Sequence, residues 1–253
     1  MLKISGLLRA RKLLRQGITP YCSVVIAAAG SSQRMGGDDK IFIPIHGVPV
    51  LAHTILAFQS CKQINEIVVV AREDNLERVA DICKKYGISK ASNVMTGGAN
   101  RLESVINGIN AVSKKAKLIA IHDGARPCVE TDLIKNTIKA ATLHHAAAPC
   151  VPVSSTLKSV KGDLITATVD RSDTYEVQTP QVFDADVIKA ALHNARKKSI
   201  EITDDCKALE IIGFPVRAVA GSSANIKLTT KEDIKIAKAI LRGVWEQGVG
   251  SRE

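Results

Sequence analysis

Residues 23–40 read SVVIAAAGSSQRMGGDDK. Seven β-branched or small residues, SVVIAAA (23–29), make a strand candidate that suits burial between helices. Glycines, hydroxyls and two cations follow, and that composition suits close approach to an anion. The turn Gly30-Ser31-Ser32 can aim several backbone N–H groups inward as an anion nest. Arg34 supplies a planar fork for phosphate oxygens and Lys40 a mobile point charge. Two common nucleotide loops are ruled out: the dinucleotide pattern needs glycine at 30, 32 and 35, where Ser32 and Met35 stand, and the P-loop needs Gly-Lys-Ser/Thr where Asp39-Lys40-Ile41 stands. A plain solvated loop remains the competing reading of this stretch taken alone.

Outward from it, short apolar runs alternate with helical patterns. EIVVVA (66–71), AKLIAIHD (116–123), AAPCVPV (147–153) and FPVRAVA (214–220) read as strands. VLAHTILAFQS, DNLERVADICKKYG, RLESVINGINAVSKK and TDLIKNTIKAATLHH carry apolar residues at i, i+3 and i+4. Strand–helix repetition with right-handed crossovers predicts an α/β fold with a doubly wound, mostly parallel sheet, whose ligands sit at the carboxyl ends of the strands. Residues 154–176 break the rhythm. They alternate around Lys161-Gly162-Asp163, which predicts a polar β-hairpin arm projecting from the domain and resting on a second subunit. Helices DADVIKAALHNARKK, TDDCKALEIIG and KEDIKIAKAILRGV and a strand NIKLT complete the expectation. The organisation is a basic extension (1–20), one domain (21–242) and a tail (243–253).

Composition narrows the class. Apolar residues make up 45% of the chain and aromatics only 3%, so the core is built from Ile, Val, Leu and Ala. The net charge of +10 suggests nucleic acid until it is located. Five of the 35 Lys and Arg residues (Lys3, Arg9, Arg11, Lys12, Arg15) lie in residues 1–20, which have no acid, leaving 30 bases against 25 acids elsewhere. RNP-like aromatic motifs are missing, so the extension's contact with nucleic acid or a membrane surface is a minor alternative. No apolar run reaches the roughly 18 residues of a membrane span. Six scattered cysteines (22, 61, 83, 128, 150, 206) read as small buried hydrophobes in a reducing, cytoplasmic setting. The six histidines read as structural or solvated.

Two further strand ends carry chemistry. Gly97-Gly98-Ala99-Asn100-Arg101 follows the strand candidate SNVMT and precedes a helix holding Ser104. His122-Asp123-Gly124-Ala125-Arg126-Pro127 ends a strand on an acid with a cation beyond it. Asp123 taken singly could be a buried turn cap, but three such loops side by side favour a nucleotide pocket.

In order along the chain stand A-A-A-G-x-S-x-R-M-G, then Lys, G-G-x-x-R-x-x-S-V, H-D-G-A-R-P, T-V-D-R, Q-T-P-Q, I-T-D-D and N-I-K-L-T. From about residue 22 to 242 the sequence resembles the 2-C-methyl-D-erythritol 4-phosphate cytidylyltransferase family of the non-mevalonate isoprenoid pathway. That resemblance implies a Rossmann-like domain whose arm makes a homodimer, and CTP bound with Mg²⁺ held mainly by its phosphates. It implies base and ribose contacts from Ala28, Ala29, Gly30, Gly98 and Ser104, with Arg101 in the same loop, and places Asp123, Gly124 and Arg126 near the ribose and second substrate. Arg34 and Lys40 match the pair that stabilises the transition state. Arg171, on the arm of a partner subunit, and Lys227 match the pair that positions the sugar phosphate, with hydroxyl contacts from Thr156, Thr179 and Thr203.

Four positions depart from the family pattern: Ser32 for a second glycine, Asp39 for a proline, Ala99 for an acid, and Ser155 for an aspartate. The alternatives are the sister ribitol-5-phosphate reaction and a non-catalytic nucleotide-binding relative.

Overall fold

The computed structural model describes residues 19–30 and 39–246, with side chains through Arg242. The basic extension through residue 18, Ser32, Arg34 and the tail side chains lie outside the described residues.

Strand β1 (Cys22–Ala28) runs in the buried interior of the main sheet. A small hairpin, β2 (Pro44–Ile45) and β3 (Val48–Pro49), follows the opening loop. β1 pairs in parallel with β4 (Glu66–Ala71) on one side and β6 (Leu118–Asp123) on the other. β5 (Ala91–Thr96) extends the sheet beyond β4 in the same direction. Beyond β6 comes β11 (Gln181–Asp184), antiparallel to β6 and to the next strand, β7 (Ala146–Pro152). β10 (Tyr175–Val177) also runs antiparallel to β7, and β12 (Arg217–Ala220) closes the sheet parallel to it. The sheet is therefore mostly parallel, with β10 and β11 reversed.

Alternate residues of β1 face opposite layers, because strand side chains alternate. Val24 and Ile26 enter a cluster with helices α1 (Val50–Ser60), α2 (Leu76–Lys85), α4 (Thr131–His144) and α7 (Lys231–Glu246), contributing Ile55, Val79, Ile138 and Leu241 among others. Val25 enters the opposite cluster with α3 (Arg101–Ala111), α5 (Ala185–Lys197) and α6 (Asp205–Ile211), which supply Ile109, Leu192 and Leu209. Continuous apolar strands are possible only because both faces are covered. All six cysteines are free, five buried and Cys150 half-buried.

The hairpin forms as β8 (Lys158–Lys161) and β9 (Leu164–Thr168), a two-stranded sheet separate from the main one. Its turn is Gly162-Asp163, and Gly162 has φ +64°, a left-handed value that glycine reaches without a Cβ penalty. Leu164 and Ile165 are each 68% exposed. One expectation fails among the described residues: NIKLT forms no strand. Leu228 instead donates its N–H to Ala125 O at 2.9 Å, so the segment is pinned to the loop after β6 rather than to a ladder. Several helices are also shorter than their periodicity suggests; α6 starts at Asp205, since Asp204 is its N-cap and accepts from Lys207 N at 3.2 Å.

Candidate active site

A cavity of about 480 Å³ opens at the carboxyl ends of β1, β5 and β6, within the range of small-ligand sites. It is lined by Ala28, Ala29 and Gly30 from the first strand end, Gly98, Arg101 and Ser104 from the second, and Asp123 from the third. Lys40 and Lys227 also line it.

The first wall is shaped by small residues. A Cβ on Gly97 would stand 2.6 Å from Ala29 Cβ and 2.8 Å from Ser104 Oγ, so only glycine lets the β5 loop approach the β1 end. Ser104 Oγ accepts from Gly98 N at 3.0 Å and donates to Asn100 O at 2.8 Å. Its hydroxyl thus holds the loop in shape. Asn100 caps α3, accepting from Glu103 N at 2.9 Å.

The second wall is electrostatic. Asp123 Oδ2 lies 3.1 Å from Lys227 Nζ and 3.2 Å from Arg126 Nε. Burial raises the cost of its charge, but Lys227, Arg126 and Arg101 outweigh that and hold its carboxyl at about 2. Arg126 also donates to Asn225 O at 2.8 Å, and Asn225 Nδ2 donates to Thr179 O at 2.8 Å. These bonds tie the Lys227 segment to the strand ends.

Arg101 reaches the cavity, yet its fork is committed. NH1 and NH2 donate to the two carboxylate oxygens of the fully buried Asp205 at 2.9 and 2.6 Å. Burial opposes the guanidinium charge, and Asp205 more than restores it, holding the group above its ordinary value. Gln181 accepts from Asp205 N and Cys206 N, and donates to Asp204 Oδ2 at 2.8 Å, fastening α6 to β11.

Thr179 is buried and does not line the cavity. Its Oγ1 accepts from Asp123 N at 3.2 Å and bonds His122 Nδ1 at 3.0 Å. Nε2 faces Arg126 O at 3.4 Å. That carbonyl can only accept, so the proton of the neutral ring belongs on Nε2 and Nδ1 accepts from the Thr179 hydroxyl. Complete burial pushes His122 down to about 3, so it stays neutral under ordinary conditions. In the sequence His122 is one of six structural or solvated histidines, marked out only by its place beside Asp123. Asp205 and Asn225 were legible only as members of motifs.

Other expected residues lie elsewhere. Gly124 packs against β1, donating its N–H to Ala27 O at 2.9 Å, and Thr54 donates to its carbonyl at 3.0 Å. Arg126 lines a second cavity of about 420 Å³, beyond Lys227 at the base of the arm, with Ser154, Glu176, Gln178 and Asn225. Lys227 lines both cavities. Arg171 is exposed on the arm and donates to the carbonyls of Ser154 and Val153 of the same arm. Thr156 and Thr203 are exposed and line neither cavity. Of the departures, Ala99 lines the first cavity, Ser155 is exposed on the arm, and Asp39 joins the hydrogen-bond network described below.

A Rossmann-like sheet whose open end gathers cations around a nucleotide-sized cavity defines a nucleotide-handling transferase. The comparisons specify which. The family model for 2-C-methyl-D-erythritol 4-phosphate cytidylyltransferase (IspD) matches residues 22–243, and the chain belongs to that family. A protein of that name from Halalkalibacterium halodurans is 42% identical over 220 residues, covering 87% of this chain and 96% of the relative. The crystal structure of 4-diphosphocytidyl-2C-methyl-D-erythritol synthase from Anaerococcus prevotii superposes with a TM-score of 0.78 at 32% identity, covering 88% of this chain and 96% of that one. The 2-C-methyl-D-erythritol 4-phosphate cytidylyltransferase of Thermus thermophilus gives a TM-score of 0.72 at 31% identity, covering 88% and 99%.

Proposed function

We propose that the chain transfers the cytidylyl group of CTP to 2-C-methyl-D-erythritol 4-phosphate, yielding 4-diphosphocytidyl-2-C-methyl-D-erythritol and pyrophosphate. The observation that carries this reading is the charge of the first cavity. Among the described residues Lys40, Arg101 and Lys227 line it with one carboxylate, Asp123, which Lys227 and Arg126 share, while Arg101 is held by Asp205 behind the wall. A net cationic cavity suits polyanions.

The acceptor's phosphate oxygen attacks the α-phosphorus of CTP, the bond to the bridging oxygen breaks, and pyrophosphate leaves. The attacking phosphate is already ionised near pH 7, so no protein base or nucleophile is needed. Catalysis then rests on bringing two polyanions together and stabilising charge on the oxygens. The backbone of Ala28 to Gly30 and the loop at Gly98 suit the base and ribose. Arg34 and Lys40 are assigned to the triphosphate. Lys227, between the two cavities, and Arg126 suit the acceptor phosphate in the second one. Thr156 and Thr203 complete the assignment as hydroxyl contacts, while Thr179 orders the strand end beneath.

Among the described residues no group of three or more His, Cys, Asp or Glu side chains could hold a metal ion. With Asp123 the one carboxylate among the described residues that line the cavity, Mg²⁺ fits here as an ion carried mainly by the CTP phosphates, where it would neutralise developing charge. The exposed apolar side chains of the arm, Val160, Leu164 and Ile165, favour a homodimer in which Arg171 serves the partner's site. Free cysteines fit a reducing cytoplasm, and among the described residues no helix is long and apolar enough to cross a membrane.

The test is pyrophosphate release from CTP with 2-C-methyl-D-erythritol 4-phosphate and with ribitol 5-phosphate, each with and without Mg²⁺. Turnover with the first substrate, dependent on Mg²⁺, is the expected result. Activity with ribitol 5-phosphate alone would overturn the substrate assignment.

A further inference from the structure

The chain re-enters the described structure at Asp39, one residue before Lys40. Asp39 caps the short 3₁₀ turn Lys40–Phe42 with extended backbone (φ −73°, ψ 102°), and Phe42 N donates to Asp39 O at 2.9 Å. Its side chain makes no capping bond to that turn. It points instead to the segment after β4. Asn75 Nδ2 donates to Asp39 Oδ2 at 2.8 Å, and Arg72 NH2 lies 3.7 Å from the same oxygen. Both partners are themselves braced. Asn75 is 7% exposed and its N–H donates to Arg72 O at 3.0 Å, while Arg72 grips Asp74 through two bonds of 3.0 and 2.9 Å. The Asp39 side chain is only 11% exposed.

We propose that Asp39 is a positioning residue for Lys40: its carboxylate, clamped by Asn75 and Arg72, fixes where the backbone enters the cavity and so where the Lys40 ammonium can stand. The physical need is specific. Lys40 is a point charge on a four-carbon stem, and a flexible stem positions charge only if its root is held. The residue before it carries the opposite charge, and the Asn75 amide, with Arg72 behind it, holds that carboxylate to the side of β4. The interaction joins residues 36 positions apart, so it also ties the end of the opening loop to the sheet.

This inference rests on the assignment of Lys40 to the triphosphate, and a double-mutant cycle on CTP affinity separates the two ideas. CTP binding with Mg²⁺ is titrated calorimetrically on the full chain for wild type, Asp39→Ala, Lys40→Ala and the double variant, with circular dichroism to verify folding. Asp39→Ala is expected to weaken CTP about tenfold while costing less than about twofold in the Lys40→Ala background. Asp39→Asn keeps an acceptor for Asn75 and is expected to recover most of the affinity, whereas Asn75→Asp, which faces one carboxylate with another, is expected to match Asp39→Ala. Wild-type affinity in Asp39→Ala, or an equal penalty with and without Lys40, overturns the clamp. Unchanged affinity in Lys40→Ala overturns the Lys40 assignment and the clamp with it.

Discussion

The β6 end of the cavity and the hairpin arm both present cations, and they hold them in opposite ways. At the neighbouring β5 end Arg101 is gripped by a carboxylate with no exposure, and at the β6 end Arg126 and Lys227 flank another whose side chain is 12% exposed. Each cation there has its place before any ligand arrives. On the arm, Arg171 lies in solvent against carbonyls of its own backbone, and nearby Leu164 and Ile165 have no core to enter. The difference teaches where preorganisation comes from: buried ion pairs make it within one chain, while an exposed arm gains it only against another surface.

The strongest way to break the buried half is Asp205→Ala. It strands the Arg101 guanidinium without its fully buried partner, and removing one member of such a pair costs roughly 3–5 kcal/mol. Chemical denaturation should show that loss, and a change under about 1 kcal/mol would mean the pair does not organise α3 against α6.

The second prediction sets the two halves against each other. Lys227→Ala and Arg171→Ala should each lower kcat/KM by about 10²–10³, the effect of losing one charge-stabilising donor. Arg171→Ala should leave the stability of the fold within about 0.5 kcal/mol, since its side chain is exposed. Mixed dimers of Arg171→Ala and Lys40→Ala subunits should regain one working site; failure to complement would sink the arm acting across subunits.

The third prediction concerns pH. Burial lowers His122 from 6.5 to about 3, so the unfolded chain binds a proton there that the folded chain refuses. Its contribution to stability is complete above about pH 6.5 and is lost as pH falls toward 3, at up to about 1.4 kcal/mol per unit. Asp123 adds a separate loss only below its ordinary value of 3.8, toward about 2. His122→Gln should flatten the denaturation-midpoint curve between pH 6 and 4, and a parallel curve would contradict a neutral buried ring.

Local patterns carried much of this architecture. EIVVVA is β4 and VLAHTILAFQS is α1, residue for residue, because each is an unbroken apolar or periodic run. The hairpin was readable from the alternation around Lys161-Gly162-Asp163, and Gly162 takes the positive φ that such a turn demands. The three strand-end loops were also legible, as glycine and charge stand where doubly wound sheets bind ligands. NIKLT was misread because alternation reports a face to be buried and not the partner that buries it.

The amino-acid order, then, determined most of the helices, the apolar parallel strands and the residue types at each strand end, through forces acting within a turn or two of chain. Tertiary structure decided what those residues are free to do. Arg101 is bound to Asp205, 104 positions away, the Thr179 hydroxyl is spent on His122, and Asp39 is held by Asn75. Such pairings depend on which buried groups have lost water and must satisfy one another, and only the packed fold sets those distances.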